Sequence, residues 1–320
     1  MKKKLLNWSI KIVMAATLIC VFGVNTAFAV DERDIDNAVK IAREYGLIDS
    51  SNVLRILNRF FTAIDSDAIV TVHPSLPNVA NTNVFFREKW PEDIIYYKIS
   101  YFDDIMLENL TQNLECDITN TYAGIIFDIR GAGGTSTAAV ARIASFFLEE
   151  NKDLCIIVNK KSKISVPLRA IKSTRMELPF VVIVDSFTSH AAEVLARVIK
   201  GNRNVVIIGS PTAGKVSFPE LINISSNIVV NLPVQIAESV NSNSVWNTSM
   251  EPDVNCYNKK HDSVEASVSS WKPHSGKEIS ERAKNDAELM RKVEGDYVLR
   301  RAVDILLGIK VFAIPTAESK

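Results

Sequence analysis

The segment Gly124-Ile-Ile-Phe-Asp-Ile-Arg-Gly-Ala-Gly-Gly134 decides the fold class of this chain. Its first half is continuously apolar, which is typical of a strand that is covered on both faces of a parallel sheet. Its second half is rich in glycine, and a helix is predicted directly after it, from about Ser136 to Glu150. A buried strand that enters a helix through a tight turn predicts an α/β domain. The turn is either a plain strand–helix connection or a cradle of backbone N–H groups for a developing negative charge.

Apolar runs and helical patterns alternate on both sides of this segment, which predicts a buried and largely parallel sheet. The predicted strands are residues 94–99, 123–129, 154–158, 180–184 and 205–208, and the predicted helices are residues 103–114 and 190–200. A strand pair is predicted at 220–235, two short amphipathic helices at 31–65, and a helix from about Gly276 to Leu307 that breaks at Gly295. Residues 66–91 and most of 238–275 are predicted to be loop.

Two further strand–turn segments carry polar side chains to the same edge of the predicted sheet. The first is Val181-Val-Ile-Val-Asp-Ser-Phe-Thr-Ser-His-Ala-Ala-Glu193, where a strand meets the start of a helix. The second is Ile208-Gly-Ser-Pro-Thr-Ala-Gly-Lys215, where a lysine follows a glycine turn. Taken singly, Thr188 and Ser189 are ordinary helix caps, and Lys215 is an ordinary solvated lysine. The second segment is not a phosphate loop, because Val216 stands where serine or threonine is required.

In this order, the three segments resemble the C-terminal processing, or tail-specific, protease family of serine peptidases. The resemblance covers about residues 94–255, and Tyr97–Phe102, the Asp128–Gly134 turn and Glu251-Pro-Asp-Val254 support it. It implies an α/β core of the crotonase/ClpP-like βα spiral type. It also implies Ser–Lys hydrolysis of a peptide bond, in which a serine attacks the carbonyl and a neutral, buried lysine accepts its proton.

Residue by residue, the resemblance keeps the scaffold and changes the nucleophile. The family lysine falls on Lys215, and the supporting acidic residue falls on Glu193. The position of the nucleophile falls on His190, while Ser189 lies one position earlier. The glutamine that many members carry four residues after the lysine is Pro219 here. The resemblance implies oxyanion-binding or substrate-binding N–H groups from the glycine turn and from the residue after the nucleophile, namely Gly131, Gly133, Gly134 and Ala191.

This pattern predicts a catalytically impaired peptidase homologue. A slip of one residue at a helix start turns a side chain by about 100°, so we expect Ser189 to point away from Lys215 unless the turn rearranges. An imidazole at position 190 can itself attack a carbonyl, but it is bulkier than a hydroxymethyl group and intrudes where substrate must lie. Three alternatives stay open: an active protease that uses Ser189 or Thr188, a non-catalytic peptide- or ligand-binding protein on the same fold, and an acyl-coenzyme-A enzyme of the crotonase type.

Residues 1–29 have the pattern of a secretory signal peptide. Lys2 to Lys4 form a charged start, Ile12–Val24 is an apolar run that is short for a bilayer span, and Ala27-Phe-Ala29 is a cleavage pattern. We therefore expect cleavage after Ala29 and a secreted or periplasmic protein, with a membrane anchor as the alternative. The expected organisation continues with a helical segment and loop at 30–92, a tail-specific-protease-like α/β core at 93–256, and a polar linker with a C-terminal helix at 257–320. A PDZ domain, which the family often carries, has no room ahead of this core.

The charge balance and the positions of His and Cys limit the ligands. The chain has 37 Lys and Arg against 37 Asp and Glu, so it lacks the basic surplus of a nucleic-acid binder. His190 and Glu193 have metal-compatible spacing without a visible third ligand, and neither a metal nor a cofactor is expected. Cys155 is expected to be a buried thiol, and a Cys116–Cys256 disulfide stays open. The expected partners are unfolded or C-terminal segments of exported proteins, and the C-terminal helix either packs on the core or forms an oligomer contact.

Overall fold

The computed structural model describes residues 53–65, 67–72, 85–173, 176–224, 228–240, 246, 248–256 and 281–313, together with residues 37, 40–42 and 44. The expected signal peptide, most of the first amphipathic helix and most of the 238–275 loop lie outside the described residues. The chain forms two compact units, one of residues 1–78 and 220–233 and one of residues 79–219 and 234–320. Within the described part of the chain, every helix is too short or too polar to cross a membrane.

The described helices and strands follow one another in an alternating order. The helices are α1 (Val53–Ile64), α2 (Asp104–Ile118), α3 (Thr137–Ala144), α4 (His190–Ile199), α5 (Glu281–Lys292) and α6 (Tyr297–Ala313), with a single 3₁₀ turn at Pro91–Asp93. The strands are β1 (Ile69–Val72), β2 (Phe85–Trp90), β3 (Ile94–Ile99), β4 (Tyr101–Phe102), β5 (Gly124–Asp128), β6 (Gly133–Gly134), β7 (Asp153–Asn159), β8 (Ser165–Arg169), β9 (Phe180–Val184), β10 (Val205–Gly209), β11 (Ser217–Asn223), β12 (Ile228–Glu238) and β13 (Val254–Asn255).

A six-stranded sheet in the order β13-β10-β9-β5-β3-β2 forms the centre of the larger unit. Its strands are parallel except for β2, which pairs antiparallel with β3 at one edge. Asp128 pairs with Ile183 and Val184 pairs with Gly209, so β5, β9 and β10 end at the same edge of the sheet. The expected buried, largely parallel α/β sheet is therefore confirmed.

Helices cover both faces of this sheet. Successive side chains of a strand point to opposite faces, so Ile125 and Phe127 face one layer while Ile126 faces the other. Buried side chains of α2, α3 and α4 form the first layer, and those of α5 and α6 form the second. The continuous apolar runs of β5 and β9 result from this double coverage. The C-terminal helix packs its Leu299, Val303 and Leu306 face on the core, as one of the two expectations for it requires.

A second sheet contains β7 and β8 as an antiparallel hairpin within the larger unit. Residues 235–238 of β12 pair antiparallel with β7, and β8 lies at the edge. In the smaller unit, residues 228–231 of β12 pair antiparallel with β1, and the backbone N–H of Val70 donates to Asn58 Oδ1 of α1 at 3.2 Å. The strand pair expected at 220–235 and the second amphipathic helix of the N-terminal segment are both present.

Some local sequence predictions are wrong. Residues 66–91 were expected to be loop, but they contain β1 and β2, and β2 completes the central sheet with Trp90 buried. The helix expected to reach Glu150 ends at Ala144, because the carbonyls of Phe146 and Phe147 accept bonds from Met176 and Asn202 instead of from helix N–H groups. Strand β8 was missed.

The C-terminal helix breaks at the glycine that was expected to break it. Gly295 has φ +77° between α5 and α6, in the left-handed region that glycine tolerates best. The described part of this region begins at Glu281, so the expected start near Gly276 lies outside the described residues.

Candidate active site

The three polar segments meet where β5, β9 and β10 end. Each of these strands runs directly into its turn, and the side chains of the turns converge over the glycines that follow β5. A β-carbon added to Gly133 would lie 3.7 Å from Ser189 Oγ, 3.8 Å from His190 Cδ2 and 3.9 Å from Tyr101 Cε2. The structure therefore brings the predicted glycine turn, Ser189 and His190 together, and it adds the ring of Tyr101.

Asp185 joins the first two turns through one carboxylate oxygen. The backbone N–H groups of Gly131, Phe187 and Thr188 donate to Asp185 Oδ1 at 2.9, 3.1 and 2.9 Å. The last two bonds are the local pattern in which an aspartate caps the two residues that follow it by two and three positions. The bond from Gly131 is different, because it crosses from β9 to the turn after β5. The N–H of Gly131, expected to bind an oxyanion, is consequently engaged by Asp185.

Thr188 links all three segments and is unsuited to act as a nucleophile. Its side chain is fully buried, and Oγ1 lies 3.1 Å from the carbonyl of Ile129 and 3.0 Å from Asp185 Oδ1. Its carbonyl accepts from the N–H of Ala213 at 3.0 Å. A hydroxyl enclosed by these partners has a structural function, so the alternative of a Thr188 nucleophile does not fit the geometry.

His190 begins α4 in a strained conformation with a φ of +54°. This left-handed conformation is uncommon for residues other than glycine and persists only where the surroundings enforce it. The N–H of His190 donates to the carbonyl of Lys215 at 2.6 Å, and this bond holds the strained residue against the third segment. The imidazole Nδ1 lies 3.1 Å from the carbonyl of Ser217 and 3.0 Å from Ser217 Oγ. Either tautomer finds a partner in Ser217, so the ring is anchored between Ser217 and the glycine turn.

Ser189 is the residue before α4, and its side chain does not cap that helix. Its backbone is extended, with φ −148° and ψ 172°, and its N–H donates to the carbonyl of Ala132 at 2.9 Å. The side chain is partly exposed beside the glycine turn. Ser189 is therefore the partly exposed hydroxyl of this site, next to the imidazole of His190, which the resemblance sets at the nucleophile position.

Glu193 is fully buried and holds the lysine turn by its backbone. Glu193 Oε2 accepts from the N–H of Lys215 at 3.0 Å, while Oε1 accepts from Thr212 Oγ1 at 2.7 Å. Arg197 lies one helical turn away on α4 and donates to Oε1 at 2.7 Å. Thr212 Oγ1 also accepts from the N–H of Met250 at 2.9 Å. The predicted supporting acid therefore contacts the main chain of the predicted lysine and fixes where its turn lies.

The side chain of Lys215 is exposed, although the Ser–Lys mechanism requires a buried, neutral lysine. Its main chain is held on both sides, by Glu193 at the N–H and by His190 at the carbonyl. The structure thus keeps the lysine turn in place without enclosing the lysine ammonium group.

The glycines of the first turn differ in how strictly the backbone conformation and the available space require glycine. Gly131 and Gly134 have φ of +71° and +144°, and a β-carbon on Gly134 would lie 2.5 Å from the carbonyl oxygen of Phe102. Gly133 meets only ordinary contacts and pairs with Tyr101 in the short β4–β6 ladder. Ala191, the residue after the nucleophile position, is buried in the first turn of α4.

A buried ionic cluster supports the glycine turn from the sheet side. Asp128 ends β5 and contacts Lys98 Nζ at 2.9 Å, Arg130 Nε at 2.9 Å and the hydroxyl of Tyr96 at 3.0 Å. Burial alone would raise the pKa of the Asp128 carboxyl, but the bonds and charges of Arg130 and Lys98 outweigh it and lower that pKa. Arg130 also pairs with Asp296 at 2.8 Å, which ties the turn to the start of α6.

The cysteines and the candidate metal ligands contribute no further chemistry to this site. Cys116, Cys155 and Cys256 are all free, so Cys116 and Cys256 do not form the disulfide that stayed open. Cys155 is buried as expected, and burial raises the pKa of its thiol to about 12. No three His, Cys, Asp or Glu side chains group together as metal ligands within the described ranges. Glu193, the suggested partner of His190, already binds Thr212, Arg197 and Lys215.

Several residues that build this site carry no role in the sequence prediction: Tyr101, Asp128, Asp185, Thr212 and Ser217. Asp185 had a readable signal, because an aspartate directly after a strand often accepts from the N–H groups two and three residues later in a turn. Tyr101 and Ser217 had none, since they reach the site only through the pairing of β4 with β6 and the course of β11.

The fold is a largely parallel α/β sheet that helices cover on both faces, and other solved structures share it. The structure of a lipoprotein from Streptococcus agalactiae is similar with a TM-score of 0.56 and 14% identity, over 78% of this chain and 91% of that chain. A putative peptidase from Parabacteroides merdae is similar with a TM-score of 0.53 and 18% identity, over 91% of this chain and 94% of that one. At these identities the likeness concerns the fold alone.

The chain belongs to peptidase family S41, whose family model matches residues 93–256, about half of the sequence. The carboxy-terminal processing protease CtpA of Bacillus subtilis is 26% identical over 130 residues, which are 41% of this chain and 28% of that protein. The chain thus matches a third or less of the length of its curated relatives. The resemblance to C-terminal processing proteases and the α/β fold expected from it are both confirmed.

Proposed function

We propose that this chain is an exported S41 homologue that binds extended peptide segments and has lost efficient Ser–Lys hydrolysis. One observation carries the proposal: His190 is the first residue of α4, the position to which the resemblance assigns the nucleophile, and its ring is anchored to Ser217. An imidazole in this place fills the space beside the glycine turn that an attacked carbonyl must enter. Loss of the nucleophile typically leaves only the roughly 10³–10⁴-fold acceleration of binding and oxyanion stabilisation.

The environment of Lys215 supports the same proposal. A lysine accepts a proton from serine only when burial keeps its amine neutral, and here the side chain is exposed. The surrounding turn is nevertheless held by Glu193, Thr212 and His190, so the scaffold for a peptide is preserved. This combination fits a binding protein that descends from a protease.

The ligand class and location follow from the relatives and from the N-terminal sequence. The relative from Bacillus subtilis is named a carboxy-terminal processing protease, which acts at the end of a chain. We propose that unfolded or C-terminal segments of exported proteins bind at the core of residues 93–256. A signal peptide cleaved after Ala29 would deliver the protein to the periplasm or the medium.

Hydrolysis of an unfolded protein tests the catalytic half of the proposal. The full chain, His190→Ser, Lys215→Ala and the double variant are compared on the same substrate. We expect the natural chain to be nearly inert, His190→Ser to gain only slow cleavage because Lys215 stays exposed, and the double variant His190→Ser/Lys215→Ala to be inert again. Efficient cleavage by the natural chain that Ser189→Ala abolishes would overturn the proposal.

Peptide affinity tests the binding half separately. Fluorescence anisotropy with labelled unfolded peptides, carrying either a free or an amidated C-terminus, reports binding without turnover. We expect the natural chain to bind them and to prefer the free terminus. A chain that binds neither peptide would contradict the peptide-binding role even if it is inert as an enzyme.

A second candidate function rests on Ser189. Its hydroxyl does not cap α4 and lies with the His190 ring over Gly133, so a serine and an imidazole share one side of the site. In this candidate the serine attacks and His190 accepts its proton, with Ser217 orienting Nδ1. Hydrolysis that requires Ser189 and His190 but survives Lys215→Ala would favour it over the first proposal.

A further inference from the structure

The turn and outer strand of the β7–β8 hairpin carry an unusual charge distribution. Residues 160–172, defined here as the basic segment, read Lys-Lys-Ser-Lys-Ile-Ser-Val-Pro-Leu-Arg-Ala-Ile-Lys. They contain five Lys or Arg and no Asp or Glu, whereas the rest of the chain has five more acidic than basic side chains. The chain therefore has a local excess of positive charge in the basic segment, although its formal net charge is zero.

The tip of the hairpin is a built turn that presents its lysines to solvent. Asn159 Oδ1 accepts from the N–H groups of Lys161 and Ser162 at 2.9 and 3.0 Å, and the N–H of Asn159 donates to the carbonyl of Ile164 at 3.0 Å. Lys161 and Lys163 are exposed, and neither forms an ion pair with the described residues. The backbone of this turn is therefore ordered, and neither lysine has an acidic partner among the described residues.

Apolar side chains protrude beside these charges. Ile164 is 59% exposed and Val166 is 55% exposed. Ile164 directly precedes β8 and Val166 is the second residue of that strand, so both exposed side chains lie at the start of the outer strand. Ile171, at the other end of the basic segment, is 46% exposed. Branched apolar side chains next to lysines, on a protruding turn, are the arrangement by which a peripheral protein enters a lipid interface.

The same hairpin is a poor edge for another strand. β8 lies at the edge of its sheet, but Pro167 in its middle has no N–H to donate and prolines of this kind block edge-to-edge pairing. Arg169 is already paired with Asp153 at 2.7 Å. Binding of an acidic peptide by strand addition would need the backbone donor that Pro167 removes. Binding of a lipid surface needs only the side chains that are exposed.

We propose that the basic segment is a docking surface for anionic lipid headgroups, with Lys161 and Lys163 attracting the surface and Ile164 and Val166 entering its interface. The proposal is independent of catalysis and of the peptide site. Each lysine close to an anionic bilayer strengthens binding by about fivefold, so removing two of them weakens it on the order of 25-fold, and reversing their charge weakens it further.

Co-sedimentation with phosphatidylglycerol–phosphatidylcholine vesicles and with pure phosphatidylcholine vesicles tests this docking surface. The full chain is compared with Lys161→Glu/Lys163→Glu and with Ile164→Asn at low lipid concentration. The control is Lys284→Glu/Arg301→Glu, which changes the net charge equally at two exposed positions of α5 and α6. Every variant shares the N-terminal segment, so binding that this segment supports by itself appears as the same residual in all of them and is subtracted before the variants are compared.

We expect binding to the anionic vesicles that weakens with salt, falls at least about 25-fold in the hairpin double variant, and falls severalfold in Ile164→Asn. The control should bind as the natural chain does. Equal losses in the hairpin and control variants would overturn the proposal, because net charge alone would then explain binding. Affinity for polyglutamate is measured for the same variants as a probe for acidic proteins. If the hairpin variant binds vesicles normally but loses affinity for polyglutamate, the proposal is overturned in favour of an acidic protein partner.

Discussion

Two parts of the candidate site differ in how closely they match what the resemblance to serine peptidases implies. One is the glycine turn, and the other is the helix-start edge, defined as the first residues of α4 together with the turn of Lys215. The glycine turn retains its glycines and is secured from two sides, by Asp185 and by the Asp128 cluster. The helix-start edge has His190 at the position where the resemblance expects a serine, and it exposes Lys215. The turns therefore agree with what the resemblance implies, whereas the expected reacting groups do not.

This difference indicates that the carboxylates of Asp185 and Glu193 hold the turns of the site in place and have a structural function. Asp185 fastens the glycine turn to the start of α4, and Glu193 fastens the lysine turn to the same helix. A buried carboxylate that accepts several N–H bonds stabilises a turn whatever chemistry the turn performs. The two carboxylates can therefore keep the shape of the turns whichever side chain stands at position 190.

The largest loss of stability is expected when the side chain of Glu193, which holds the lysine turn, is removed. In Glu193→Ala, the Arg197 guanidinium, Thr212 Oγ1 and the N–H of Lys215 lose a buried partner, and we expect the free energy of unfolding to fall by about 3–5 kcal/mol. Urea unfolding followed by circular dichroism measures the loss. Glu193→Gln keeps an acceptor oxygen and should lose less. A change below about 1 kcal/mol in Glu193→Ala would show that the lysine turn is held by other contacts.

The glycine turn allows a matched pair of alanine substitutions. Gly134→Ala should destabilise by about 3 kcal/mol, because φ is +144° and a β-carbon would meet the Phe102 backbone at 2.5 Å. Gly133→Ala should change stability by less than about 1 kcal/mol, since its β-carbon makes only ordinary contacts. Thermal and urea unfolding of both variants measure the difference. Equal destabilisation would contradict the description of this turn.

Removal of Asp185 should have a smaller effect. Asp185→Ala leaves the N–H groups of Gly131 and Phe187 without their side-chain acceptor at a partly exposed position, and we expect a loss of about 2 kcal/mol. Asp185→Asn retains one acceptor oxygen and should recover more than half of it. Amide hydrogen exchange at Gly131 should accelerate in Asp185→Ala. Unchanged exchange would mean that the two turns are joined by something other than this bond.

The smallest expected effect is a change in acid sensitivity at Asp128. Its folded-state pKa is lowered, so its contribution to stability is present above its unfolded pKa and is lost as pH falls through the folded value. Asp128→Asn should therefore flatten the dependence of the unfolding free energy on pH between about pH 5 and pH 3. Urea unfolding across this range measures the slope. Identical slopes in the two proteins would show that Asp128 is not a significant source of acid sensitivity.

The sequence predicts the central fold because the fold depends on local patterns. The runs of β5 and β9 are continuously apolar, and the helices around them have clear caps, such as Asp103, which accepts from the N–H of Met106 at 2.7 Å. The end of α3 is different, since distant residues take the carbonyls of Phe146 and Phe147. The sequence pattern predicts a loop where β2 lies, because β2 is an edge strand with mixed polar and apolar residues and ends directly before Pro91.

The site is predictable only in its turns. The order of the three segments indicates Lys215, His190 and the glycines, since each follows a strand in sequence. The anchoring of His190 by Ser217 depends on the path of β11, and the position of Tyr101 depends on its pairing with Gly133. The exposure of Lys215 agrees with the expectation for a lysine taken singly, and it differs from the burial that the Ser–Lys resemblance implies.

Labelling with a fluorophosphonate probe, followed by mass spectrometry of the intact and digested protein, tests the central claim most directly, because the probe reacts with activated serine hydroxyls. The account predicts no adduct on the natural chain and one adduct on the peptide containing position 190 in His190→Ser, which Lys215→Ala removes. An adduct on Ser189 of the natural chain would contradict the account and show that the site has a working nucleophile.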